Sequence, residues 1–363
     1  MLSGVKSLNG DYFVRRFSLA PPPFPRRAGS TAHILALVPI SCHSSVSLDS
    51  NAPELVRAHA KLNLALRVVG RRPSDNYHLL EMVNVELSLA DDIVITRVQG
   101  AGCAITIRVT SGSSPGTPVA VIEDPVLSSL GRAFHLFCST FEIRAQLAIT
   151  ITKRIPNGAG LGGGTADAAA ILRWCWERLL TAELREQHES RGLLSRVAAQ
   201  VGADVPYSLQ GGCALVTGIG EEITPLPWAL SGIPVVLVVP PISVATPEAF
   251  AAYRAREQRF SETNAGSLLR CGSTPPPPAE LLVNDLESVV SHNWPPVAQA
   301  LWALRVENAR PGIKPVVGMT GSGSTVFCTP PSWSASGEVS AEIEQFAQSK
   351  APEGCLIIPC HIR

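Results

Sequence analysis

Neither sign of charge is in excess in this chain: among 363 residues, 30 Lys and Arg balance 30 Asp and Glu. A nucleic-acid groove or an anionic membrane surface needs a basic excess, so neither is expected as a partner. Aromatics are scarce at 6%, which argues against a platform for stacking unpaired bases. No apolar run approaches the ~20 residues that cross a bilayer. The longest, Ile233 to Ile242, is interrupted by Pro234, Pro240 and Pro241 and reads as a buried strand. The nine cysteines follow no pattern: the count is odd, and there are no CxxC pairs and no Cys/His ligand spacing. That excludes a disulfide framework and a structural zinc site and suits reduced thiols. Disorder is excluded as well, because 45% of residues are hydrophobic, 17% charged and the mean hydropathy is +0.19. At roughly 150 residues per domain the length suggests two domains, each able to bury a core.

Residues 1–50 stand apart. They hold five bases (Lys6, Arg15, Arg16, Arg26, Arg27), two acids (Asp11, Asp49), nine serines and the break Pro21-Pro22-Pro23. An acid-poor stretch with Ser and Arg reads as an organellar transit peptide, an unstructured leader or the product of an upstream start codon. A bacterial cytoplasm is the simpler location and a plastid the alternative. Removing these charges from the totals leaves 25 bases and 28 acids, a body of −3.

Beyond the leader, alternation predicts strands at Val56–Val69, Glu81–Leu89, from Asp92, at Ile105–Val109 and at Leu147–Ile151. A Gly/Ser/Pro turn follows Ser111. Val126, Leu130, Phe134 and Phe137 at three- and four-residue intervals predict a helix over Pro125–Phe141. Later strands are expected at Cys213–Thr217, Val235–Val239, Val316–Met319, Ser324–Cys328 and Leu356–Ile358. Helices are expected at Pro247–Arg256, Leu286–Val290, Val297–Leu304 and Glu338–Phe346. Strands and helices mixed without steady βαβ alternation indicate α+β.

The densest chemical signal runs from Pro156 through Asn157, Gly158, Ala159, Gly160, Leu161, Gly162, Gly163, Gly164, Thr165 and Ala166. Five glycines in seven positions admit a ligand close to the backbone. The helix that follows, striped by Ala169, Leu172, Trp176 and Leu179, would point unsatisfied N–H groups and its positive end at a phosphate. A Walker A loop needs Lys where Thr165 stands, and the setting of a dinucleotide fingerprint is missing. Thr165 can add a hydroxyl, and Asp167 can cap the helix or help hold Mg²⁺. Three further features are equivocal singly. Lys61 interrupts an apolar strand, where an outward edge lysine is the bland reading. Asp204, in Gly202-Ala203-Asp204-Val205-Pro206, reads equally as a turn or cap residue. Gly321-Ser322-Gly323-Ser324 reads as a second backbone nest or a hairpin turn.

In their order these blocks resemble the GHMP kinase superfamily: Ala60-Lys61-Leu62-Asn63 on an early strand, the glycine loop, and Met319-Thr320-Gly321-Ser322-Gly323 late. Gly70-Arg71-Arg72-Pro73, Asp75-Asn76-Tyr77-His78, Gly202 to Pro206 and Asn284-Asp285-Leu286-Glu287 narrow it to the branch that phosphorylates a cytidyl substrate. The resemblance runs from about Pro53 to Phe327. It implies a two-domain α+β fold: residues 53–215 an N-terminal ATP-binding α/β domain, 216–363 a ferredoxin-like C-terminal domain. It implies ATP, with Mg²⁺, phosphorylating the 2-hydroxyl of 4-diphosphocytidyl-2-C-methyl-D-erythritol, in a monomer or homodimer. Asp204 would take or orient the hydroxyl proton, and Lys61 would lie beside it. Residues 156–166 would hold the nucleotide. Asn63 would contact the substrate, Tyr77 stack on its base, His78 hydrogen-bond it and Phe250 offer a second aromatic face. The chain also departs from the family pattern. Ser74 is inserted, Ala166 lacks a hydroxyl usual there, and Asn76 replaces a glycine, which predicts a positive φ at Asn76. The alternatives are another small-molecule kinase of this superfamily, such as a mevalonate or homoserine kinase, or a silent nucleotide-binding regulator.

Overall fold

The computed structural model describes residues 52–111, 120–122, 124–255, 260–306, 314–334 and 336–363. The leader and the turn after Ser111 lie outside the described residues. The fold is α+β, as the mixed pattern indicated.

A long antiparallel hairpin opens it: β1 (Glu54–Arg71) against β2 (His78–Val98). The two strands expected from Glu81 and Asp92 are one, because Ala90 and Asp91 stay in the ladder opposite His59 and Ala58. With β3 (Ala104–Ser111), β4 (Ala120–Ile122) and β5 (Gln146–Lys153), the first sheet runs β4-β3-β5-β2-β1. β3 and β5 are parallel, and such a pair needs a crossover. Here the chain between them includes α1 (Ser129–Thr140), preceded by a 3₁₀ turn at Pro125–Leu127. α2 (Gly163–Leu179), α3 (Ala182–Glu189), α4 (Leu193–Val201) and α5 (Val205–Gln210) follow. α3 buries no residue and α5 has six, so neither carries a readable apolar stripe. β6 (Ala214–Thr217) and β7 (Glu222–Pro225) form a hairpin, and β6 pairs with β2.

A second sheet, wholly antiparallel, has the order β10-β11-β8-β12. Its central strand β8 (Pro234–Val239) is buried at every residue. α6 (Thr246–Ala255), α7 (Ala265–Arg270) and α8 (Pro278–Leu281) follow, and then β9 (Val283–Asn284) crosses to lie parallel beside β1. α9 (Glu287–Asn293) and α10 (Pro295–Arg305) precede β10 (Val316–Met319) and β11 (Val326–Thr329). α11 (Gly337–Lys350) and β12 (Leu356–His361) close the chain. Three apolar clusters hold this together. One packs α1 and α2 on the first sheet through Phe134, Phe137, Leu172 and Ile149. Another packs the later helices through Val290, Leu301 and Ile343 on Val236 and Val238. The third joins the sheets, with Leu62, Leu64 and Val85 against Leu237 and Phe327. No described helix is long and apolar enough to cross a membrane.

Candidate active site

The site is built on the outer edge of β1. Past β9, which covers Ala65 and Leu66, the Asn63 N–H donates to Thr320 Oγ1 at 2.9 Å, and the Lys61 N–H to the Leu161 carbonyl at 3.0 Å. The two glycine segments thus finish the edge that a strand would otherwise fill. Register shifts between His59 and Lys61 and between Asn63 and Ala65 bracket the pair; such bulges re-aim side chains. Lys61 is therefore not an outward edge residue. It is buried, with Nζ 3.1 Å from Asp204 Oδ2 and 3.3 Å from Asn63 Oδ1. Asp204 occupies the N-cap position of α5 without making a side-chain capping bond. Its carboxylate, a third exposed, is left for Lys61.

The glycine loop meets the late turn backbone to backbone. Gly158, Gly160 and Gly162 have φ of +64°, +77° and +70°. A Cβ on Gly160 would lie 2.7 Å from the Thr320 carbonyl oxygen and 2.8 Å from that of Gly323. Thr325 N–H donates to the Ala159 carbonyl at 3.3 Å. Gly321 to Ser324 is accordingly the packing partner of the first loop rather than a free hairpin turn. α2 starts after Gly162, with its first turn open to the cleft. Thr165 Oγ1 donates to the Gly162 carbonyl at 2.8 Å, so its hydroxyl also braces the loop.

Beneath the loop lies a charge cluster that the sequence reading missed. Asp167 neither caps α2 nor faces the cleft. It is buried, 2.8 Å from Lys153 Nζ, which also bonds Asp91. Asp91 Oδ1 accepts from the N–H groups of Arg154 and Ile155 at 2.6 and 2.9 Å, fixing the entry to the loop. Two carboxylates share one ammonium. Burial pulls the Lys153 pKa down, but Asp167 and Asp91 outweigh it and the net shift is upward. Burial, with the Asp91 charge added, overcomes the pull of Lys153 on Asp167 and raises that carboxyl to about 6. A raised carboxyl pKa favours folding while protonated. Its contribution is full below about pH 4 and lost as pH rises through about 6. Asp167→Asn should therefore gain stability relative to the parent between pH 4 and pH 7, by roughly 2–3 kcal/mol. Parallel melting curves across that range check it; a constant offset between the two proteins would contradict it.

Tyr77, His78 and Phe250 meet on one wall. The turn before them holds Asn76 at φ +62°, the value expected of its glycine-like role. His78 stacks on Phe250, centroids 4.9 Å apart, and meets Tyr253 edge-on at 5.8 Å. Its Nε2 is buried without a partner among the described residues. Burial, then the charges of Arg71 and Arg254, lower its pKa, which favours the neutral ring. Tyr77 is 61% exposed at the rim, with the Arg72 guanidinium 5.8 Å from its ring centroid. All the site residues expected from sequence except Ala166, which is buried behind Thr165, line one cleft of about 900 Å³. It spans from the aromatic wall, past Lys61 and Asp204, to the glycine loop. A basic and an acidic side chain in contact, between a glycine loop that opens onto a helix N-terminus and an aromatic wall, can position and stabilise charge in phosphoryl transfer to a bound hydroxyl.

The class follows from known proteins. Residues 128–212 match the model of the GHMP kinase N-terminal domain. Solved structures share the fold: a mevalonate kinase from L. major in complex with R-mevalonate has a TM-score of 0.56 at 14% identity, over 85% of this chain and 96% of that one. Closer in sequence, a structure of 4-(cytidine 5'-diphospho)-2C-methyl-D-erythritol kinase has a TM-score of 0.58 and 27% identity, over 85% of this chain and 99% of that one. The 4-diphosphocytidyl-2-C-methyl-D-erythritol kinase of Geobacillus kaustophilus is 36% identical over 283 residues, covering 75% of this chain and 86% of that protein. That of Desulfitobacterium hafniense is 37% identical over 276 residues, 74% and 84% of the two chains. The chain belongs to the 4-diphosphocytidyl-2-C-methyl-D-erythritol kinase family of the GHMP kinases.

Proposed function

We propose that the protein transfers the γ-phosphoryl group of ATP to the 2-hydroxyl of 4-diphosphocytidyl-2-C-methyl-D-erythritol, a step of the non-mevalonate route to isoprenoid precursors. The observation that carries this reading is the Lys61–Asp204 contact, placed between the glycine cradle and the aromatic wall. Asp204 accepts or orients the hydroxyl proton as the oxygen–phosphorus bond forms and the bond to the departing ADP breaks. Lys61 offsets the Asp204 charge and faces the phosphoryl oxygens; Asn63, bonded to Lys61, meets the substrate polyol. Tyr77 stacks on the cytosine, His78 supplies Nε2 to it, and Phe250 backs the imidazole. Loop N–H groups and the α2 N-terminus hold the nucleotide phosphates. The chain itself fits a nucleotide there, because residues 158–165 line the cleft with glycine-rich backbone and the first turn of α2 starts at its edge without a side-chain cap. No cluster of three or more His, Cys, Asp or Glu side chains able to hold a metal exists among the described residues. Mg²⁺ would therefore be held mainly through the nucleotide and water, with Asp204 and Thr165 the oxygens this chain offers; it would neutralise charge on the transferred group. On this reading residues 53–215 carry the nucleotide and residues 216–363 complete the substrate wall.

A coupled ADP-release assay offering the cytidyl substrate, mevalonate and homoserine side by side tests the reading. Turnover is expected with the cytidyl substrate alone. Turnover confined to mevalonate or homoserine overturns the assignment, and ATP binding without turnover on any of them points to a regulator.

A further inference from the structure

Asn84 is a fully buried amide on β2, directly opposite Asn63 in the β1–β2 ladder. Its Oδ1 accepts from Asn63 Nδ2 at 2.5 Å. Asn63 Oδ1 in turn accepts from Lys61 Nζ at 3.3 Å, and Lys61 Nζ lies 3.1 Å from Asp204 Oδ2. These four side chains form one polar line running from the cleft into the sheet. The direction of every bond in it is set by the lysine. An ammonium has only donors, so Asn63 must turn its oxygen toward Lys61 and its amino group inward. Inward it meets Asn84 Oδ1, with Met82 Sδ a weaker neighbour at 3.4 Å.

Asn84 gains little for itself from this arrangement. Its own Nδ2 is buried with no partner among the described residues. An amide hydrogen without an acceptor is costly in a core, and an apolar side chain at this position would avoid that cost. Of its neighbours on the same face of β2, Met82 and Glu86, the first is buried and apolar. A half-satisfied amide between them makes sense as the group that holds Asn63.

We infer that Asn84 is a positioning residue for phosphoryl transfer: it locks the Asn63 amide so that its oxygen points at Lys61 and the reacting hydroxyl. Without Asn84 the Asn63 amino group has no strong acceptor inside the sheet. The amide is then free to rotate, which sets an N–H₂ against the lysine ammonium and loosens the Lys61–Asp204 pair. Asn84 is not in the lining of the cleft, so it acts through Asn63 rather than on substrate. The inference rests on the kinase reading proposed above.

The test is a double-mutant cycle on the full chain, using ADP release with the cytidyl substrate. Asn84→Leu is expected to lower kcat about tenfold, leave the KM for ATP within about twofold, and melt no lower than the parent. Asn84→Asp keeps an acceptor oxygen of the same reach and is expected to recover most of the rate. In an Asn63→Ala background the leucine substitution is expected to have no further effect, because the group it positions is gone. Should Asn84→Leu not fold, Asn84→Ser, too short to bridge the strands, is read in its place. Unchanged kcat in the folded single variant overturns the inference, and so does a full tenfold loss in the Asn63→Ala background. A parent protein that turns over none of the offered alcohols overturns the kinase reading instead, which keeps the two failures distinct.

Discussion

Asp204→Asn is expected to lower kcat by about 10²–10⁴, the range that a positioned acid or base contributes, with the affinity for ATP changed no more than a few-fold. On the proposed reading the nucleotide would lie on the loop backbone and the start of α2, and Asp204 belongs to neither segment. Asparagine has nearly the same shape but cannot take the hydroxyl proton, and it leaves Lys61 without its counter-ion. The lysine is 8% exposed, so its charge would face only Asn63 Oδ1 and a neutral amide. Folding should survive, because the Asp204 side chain makes no capping bond to α5 that the substitution could break. Steady-state ADP release, together with calorimetric titration of ATP, separates the two effects. A kcat within threefold of the parent would remove Asp204 from the reaction, and a matched loss of ATP affinity would move it to the nucleotide site.

The parts of this site that sequence revealed were those with a local signature. Five glycines ahead of an apolar-striped helix can be read without a structure, since the cradle and the helix end come from one continuous segment. Asn76 was legible too: a turn that wants φ > 0 tolerates asparagine, and the angle is +62°. Lys61 was visible only as an anomaly. Alternation predicts which face of a strand a residue takes, but the shifts on both sides of Lys61 to Asn63 break the count. The bland reading as an edge lysine was therefore as defensible as the functional one until the edge was seen to be filled by the glycine segments.

The remainder depended on distance along the chain. Thr320 bonds Asn63 across 257 positions, and Lys153 bonds Asp91 across 62. No local pattern announces such partners. Asp167 shows the difficulty most clearly. Just after a glycine loop an acidic residue reads as a cap or a metal ligand. The helix starts at Gly163, so Asp167 lies past its first turn, on the buried side, and meets Lys153. Composition gave a coarser expectation. A body of −3 would not attract polyphosphates by overall charge, and on the proposed reading they would be held by the loop backbone, the start of α2 and a few side chains that line the cleft.

Gly160→Ala should damage both stability and nucleotide use, because a methyl group has no room in either loop. A non-glycine residue at φ +77° is strained by about 1–2 kcal/mol before any contact is counted. The added carbon would also lie 2.7 and 2.8 Å from two backbone carbonyl oxygens, those of Thr320 and Gly323. Neither can swing aside as a side chain would. The Thr320 N–H is tied to the Thr325 carbonyl, the Thr325 N–H to Ala159, and the Asn284 amide clamps Met319 and Gly321 at 2.9 Å each. The loops must separate, at a further cost of about 1–3 kcal/mol for overpacking. The Lys61 N–H bond to Leu161, one residue beyond Gly160, then stretches with them. The expected result is a melting temperature lower by several degrees and a kcat/KM for ATP reduced about 100-fold, as a misplacement near 1 Å in a phosphoryl-transfer site does. Gly102→Ala serves as the control. That glycine has φ +94° but open space around its Cβ position and lies outside the cleft, so it should lose stability through backbone strain alone and keep its ATP kinetics. Equal ATP kinetics in the two variants would show that the contact between the glycine loop and the late turn does not set the geometry of transfer.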